Sequence, residues 1–117
     1  MDFLIKIFKA LANENRVRMI NLLLDGKEKE IGALADTLKL PYKTVARSMK
    51  ILEHANMVSS RRWGGYVYYV LKRDAGLEYN KFIYEMVKKR YEIKEQERRE
   101  SAVTKVHSSE LVPSATY

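Results

Sequence analysis

Apolar residues recur every three to four positions through the first half of the chain, then switch to strict alternation. Phe3, Leu4, Ile7, Phe8 and Leu11 share a helical spacing, which predicts a short helix over residues 2–12. Asn13 suits an N-cap, because its side chain can accept from a free backbone N–H in the first turn. The helix it opens turns Val17, Ile20, Leu23 and Leu24 inward. GKEKE, residues 26–30, reads as a polar loop. Ile31, Leu34, Ala35 and Leu38 then mark a third helix. Pro41 sits where another can begin, its fixed φ being suited to a first turn. From there Val45, Ser48, Met49 and Leu52 form an inward stripe that runs to about Ala55, and Asn56 can take the left-handed stop. Two helices joined by the turn KLPY make a helix-turn-helix over about residues 30–55.

The period changes at residue 58. SSRRWGGYVYYV places Gly64-Gly65 between residues of high strand propensity, the signature of a two-residue hairpin loop. Strands over about 58–63 and 66–71 would pair Trp63 with Tyr66 and Arg61 with Tyr68. Alternation puts Val58, Val67, Tyr69 and Leu71 on the core side and Arg61, Trp63, Tyr66 and Tyr68 on the other. Arg62 falls on the core side but near the tip. A final helix follows over about 76–100, with Tyr79, Phe82, Ile83, Met86 and Val87 on one side. Residues 101–117 show no clear period and read as a disordered tail. Residues 1–100 are therefore expected to be one domain, mainly α with a β-hairpin, flanked by helices at both ends.

Charge changes this picture when it is located. The chain of 117 residues carries +7, and the whole excess lies between Lys39 and Arg73. That window holds Lys39, Lys43, Arg47, Lys50, Arg61, Arg62, Lys72 and Arg73 against the single acid Glu53. Elsewhere acids and bases balance. Lys43, Arg47, Lys50 and His54 share one face of the predicted second helix of the helix-turn-helix, opposite its apolar stripe, with Thr44 beside it. A solvated helix face ordinarily mixes signs. A face of donors alone suits phosphates and guanine edges.

Several classes are excluded or disfavoured. With no cysteine there is no disulfide and no thiolate metal site. The two histidines, His54 and His107, are too few and too far apart to build a metal site, so neither metal nor cofactor is expected. There is no phosphate-binding glycine loop and no nucleophile elbow, and no catalytic residue is assigned. The carboxylates interleave with lysines and arginines as solvated faces do. No apolar run approaches a membrane span and no signal peptide is visible, which gives the expectation of a cytoplasmic protein without membrane contact.

Helix, helix, helix-turn-helix and hairpin is the winged helix-turn-helix order, and the specific segments resemble the ArsR family of transcription repressors. KALANENRVRMINLLL is similar to its Leu-Ala-(Asp/Asn)-x-x-Arg opening, with Arg16 at the arginine. IGALADTLKLPYKTVARSMKILEHANMV resembles its helix-turn-helix run, and RRWGGYVYYVL its wing. Ser48-Met49 stands where the family usually has His-Leu, and Asn56 where it usually has Gly. The family's Cys-containing metal motif reads EKEIGALADTL here.

The resemblance implies a transcriptional regulator, expected to be a repressor, that binds an inverted-repeat operator in double-stranded DNA as a homodimer. Tyr42, Lys43, Thr44, Arg47, Ser48 and Lys50 on the recognition helix, with Arg61, Arg62, Trp63, Gly64 and Gly65 in the wing, would contact DNA. The first and last helices of that family pack across a two-fold axis. Phe3, Leu4, Ile7, Phe8, Tyr79, Phe82, Ile83, Met86 and Val87 are the corresponding interface candidates. Two alternatives stand beside this reading: non-specific architectural DNA binding, and a winged helix used only to dock proteins. No residue pattern names an effector, whether small molecule or protein.

Overall fold

Asn13 caps as expected, its Oδ1 accepting from the Arg16 backbone N–H at 3.1 Å. A computed structural model of the protein describes residues 2–73 and 78–110. The elements run α1 (Phe3–Leu11), α2 (Glu14–Leu23), β1 (Lys29–Glu30), α3 (Ile31–Leu38), α4 (Tyr42–His54), β2 (Val58–Trp63), β3 (Tyr66–Leu71) and α5 (Glu78–Glu110). This is the winged helix-turn-helix arrangement: α3 and α4 form the helix-turn-helix and β2–β3 the wing.

Each junction has a local cause. Asp2 caps α1 by accepting from the Leu4 N–H at 2.7 Å. Arg16 reaches back from α2 and donates through Nε to the Ala10 carbonyl at the end of α1. Arg18 donates to the Leu38 carbonyl at 3.3 Å, satisfying an acceptor left over at the end of α3. Lys39 turns left-handed at φ 58° to close α3, and Asn56 does the same at φ 63° beyond α4. Gly64 and Gly65 both have positive φ, 54° and 85°, which is the two-residue turn that matches strand twist. The wing register is the expected one, Trp63 opposite Tyr66 and Arg61 opposite Tyr68.

Ile7, Met19, Ile20, Leu23, Leu34, Val45, Met49, Leu52, Met57 and Val58 form the centre of the core. Tyr69 and Leu71 enter it from the wing base, and Ile83, Tyr84 and Val87 close it from α5. Tyr84 and Asn80 are the polar part of that closure. The Tyr84 hydroxyl lies 2.8 Å from both the Met57 and the Lys72 carbonyl, and Asn80 Nδ2 donates to the Asn56 carbonyl at 3.0 Å. Burial pushes the Tyr84 phenol far above its ordinary range, so it stays a donor. Tyr84→Phe keeps the packing but takes the hydroxyl donor from the Lys72 carbonyl, while the Met57 carbonyl still accepts from the Lys72 N–H at 2.8 Å. The substitution should cost about 1–3 kcal/mol in urea unfolding, and a loss under ~0.3 kcal/mol would show that the Lys72 carbonyl finds another donor.

Two departures from the sequence reading stand out. Residues 29 and 30, expected in a polar loop, form β1 and pair antiparallel with β3, Lys29 opposite Tyr69 and Glu30 opposite Tyr68, giving the sheet order β1-β3-β2. The final helix does not stop near residue 100; α5 continues through Glu110. Residues 111–117 of the expected tail lie outside the described residues. The reason is visible at Ser101, Ala102 and Val103, which are all exposed: a helix that packs no face leaves no apolar period to read. Among the described residues, no helix is long and apolar enough to cross a membrane.

Candidate nucleic-acid interface

Val45, Ser48, Met49 and Leu52 anchor α4 in the core, which fixes what the opposite side presents. Tyr42, Lys43, Arg47, Lys50 and His54 are exposed there, with Thr44 half-buried at the margin. Lys43, Arg47 and Lys50 make no ion pair with the described residues, so their charge faces outward uncompensated. The segment's one acid does not interrupt this face. Glu53 turns toward the wing and accepts from the Ser60 hydroxyl at 2.7 Å.

Ser48 requires a correction. The sequence puts it both in the inward stripe and among the DNA contacts, but at 8% exposure it belongs to the core side. One helical position cannot serve both faces.

The wing divides its two arginines. Arg62 is exposed near the tip without an ion pair among the described residues. Arg61, expected to contact DNA, is already engaged. Its Nε and Nη2 donate to the Glu28 carboxylate at 2.6 Å each, and the guanidinium lies 5.2 Å over the Tyr68 ring. The bonded guanidinium holds the Glu28 carboxyl below the usual carboxylate range. Glu28, just ahead of β1, therefore reaches across β3 to β2 and braces the outer face of the wing. The sign alternation in GKEKE was the available signal, since it matches a two-sided strand as well as a loop.

Other members of the basic window also have structural duties. Lys72 Nζ donates to Asn56 Oδ1 at 2.6 Å, and Arg73 Nη2 donates to the Leu24 carbonyl at 2.5 Å. Within the basic window the outward cationic surface thus narrows to Lys39 at the turn, Lys43, Arg47, Lys50 and Arg62. Ile51, exposed on α4 beside them, was not among the sequence candidates. Among the described residues no group of His, Asp or Glu is arranged to hold a metal ion.

The dimer candidates separate into two sets. Ile7, Ile83 and Val87 are buried in the core of this chain, at 0%, 5% and 6% exposure, and are withdrawn as interface residues. Phe3, Phe8, Phe82 and Met86 are exposed and Leu4 is half-buried. The side chain of Tyr79 lies outside the described residues. Ile5 on α1 and Ile93 on α5 add exposed apolar surface that the sequence reading missed.

Fold and surface together define a winged helix-turn-helix protein with an outward cationic face on α4. Residues 13–60 match the family model described as bacterial regulatory protein, arsR family, and carry an ArsR-family helix-turn-helix domain. An uncharacterized HTH-type transcriptional regulator of Methanocaldococcus jannaschii is 28% identical over 81 residues, covering 69% of this chain and 91% of the relative. HlyU from Vibrio cholerae superposes with a TM-score of 0.66 at 26% identity, over 76% of this chain and 91% of that one. The solution structure of a homodimeric winged helix-turn-helix DNA-binding domain from Mycobacterium bovis gives a TM-score of 0.65 at 25% identity, over 78% and 80%. The matched family and the curated relative are regulators of transcription, not enzymes.

Proposed function

We propose that this protein is a homodimeric repressor that recognises an inverted-repeat operator in double-stranded DNA. The observation that carries the reading is the acid-free outward face of α4, Lys43, Arg47 and Lys50, held rigidly by the buried stripe behind it. Lys43, Thr44 and Arg47 occupy the first turns of α4, the part of a recognition helix that meets base edges. Lys50 lies further along the face and meets phosphate, as does Arg62 from the wing. Tyr42 flanks the base-reading residues at the start of the helix. The homodimeric Mycobacterium bovis domain supports the two-fold assembly, and two copies of α4 then address successive major grooves. Occupying a promoter in this way blocks transcription.

The test is binding of the full chain to duplexes from its own upstream region and to random duplex, at physiological salt. An inverted-repeat site should win by about 10³-fold or more. Equal affinities would make the protein an architectural binder, and no binding to either duplex would leave a protein-docking module.

A further inference from the structure

Trp63 and Tyr66 face each other across the last pair of the wing, on its outer side, and are 68% and 58% exposed. Two large rings left in water at the end of a hairpin add little to the fold. Their surroundings are specific. Behind them on the same face, Arg61 is neutralised by Glu28 and laid over Tyr68, so this side is aromatic and braced. Arg62 stands exposed on the opposite side of the strand. At the apex, a Cβ built on Gly64 or Gly65 would meet nothing within 4 Å. The wing therefore ends in a thin edge, with rings on one side and a cation on the other.

β2 (Val58–Trp63) begins after the short turn 55–57 that follows α4, and is six residues long. Six residues of strand span about 20 Å, close to half of a DNA helical turn of about 34 Å. With α4 in a major groove, the tip reaches the neighbouring minor groove. The geometry points to Trp63, supported by Tyr66, as an apolar wedge that enters this groove and partly unstacks one base step. The inference rests on the DNA-binding reading above and adds a mode of recognition to it. Unstacking is cheapest at pyrimidine–purine steps such as TA and CA, so the wing reads deformability at positions that α4 never touches. Arg62 supplies the attraction that carries the rings to the groove.

Trp63 is the only tryptophan, so its emission reports the wing tip directly. The experiment titrates the full chain with end-labelled duplexes carrying its selected site, flanked at the wing position by a TA step or by an A-tract. Bending is read by energy transfer between the labelled ends. Emission should fall by about half or more at saturation, and the TA duplex should bind roughly ten-fold more tightly and bend more. Trp63→Ala should abolish the flank preference and the extra bend while leaving the thermal midpoint unchanged, because the exposed ring is not part of the core. Trp63→Phe should restore much of both. Unchanged emission with wild-type bending in both variants would overturn the wedge and leave the proposed function standing. A change in emission with protein concentration alone, before DNA is added, would assign the rings to a second copy and overturn it too. No binding to any duplex would remove the proposed function and the wedge together.

Discussion

Replacing Phe82 and Met86 together by glutamate is expected to convert a dimer of twice 13.7 kDa into a monomer in sedimentation at micromolar concentration. The side chains are 61% and 63% exposed in the isolated chain, so their apolar surface is what an interface would remove from water. Burying each is worth about 1.5–3 kcal/mol, and a two-fold interface contains each twice. Scaled by the share still exposed, the loss is about 4–7 kcal/mol, or roughly three to five orders of magnitude in the dimer dissociation constant. Affinity for the inverted repeat should collapse toward that of a half-site. The fold should survive, because neither residue belongs to the core. Ile83→Glu is the informative contrast, since Ile83 is buried within this chain and its loss should lower the thermal midpoint itself. A wild-type chain that sediments as a monomer, or a double variant that remains a dimer, would sink the assembly proposed here.

Arg47→Ala should cost about 1–3 kcal/mol per half-site on the preferred sequence and blur its discrimination against base changes. Arg47 is exposed on the second turn of α4, where a guanidinium can reach a guanine edge bidentately. Arg62→Ala should instead weaken operator and random DNA alike and lower the salt slope by about one for each phosphate left without its cation. Arg61→Ala is expected to act differently again, by loosening the bracing with Glu28 and Tyr68. Binding of all three variants to operator and scrambled duplex across a salt series separates these roles. If Arg47→Ala weakened both DNAs equally while Arg62→Ala erased the preference, the wing would be the reader and α4 the anchor.

The helices, the α4 faces and the wing register were legible because each depends on residues close in sequence. The stripe Val45, Ser48, Met49 and Leu52 defines its own opposite face, whatever it packs on. Gly64-Gly65 similarly sets which residues of β2 and β3 stand opposite one another. Ser48 shows the limit of reasoning by resemblance: a family's contact position was assigned to a residue that this chain's own periodicity had placed inward.

Partition of apolar residues between a private core and a shared interface lay beyond that reach. Phe82 and Ile83 are neighbours of equal hydrophobic promise, but α2 packs against only one side of α5, so Ile83 is buried and Phe82 is left outside. The same holds for charge. Arg61 and Arg62 are adjacent and chemically identical, and Glu28, 33 residues away from Arg61, binds one of them. Local periodicity and turn chemistry set the elements, the basic segment and the face of α4, because those are short-range properties of the backbone. Folding then assigned each exposed or buried role by bringing distant segments together: β1 onto β3, Tyr84 onto the wing base, and Glu28 onto Arg61. Such pairings depend on where a second segment lies in space, and one-dimensional spacing does not contain that position.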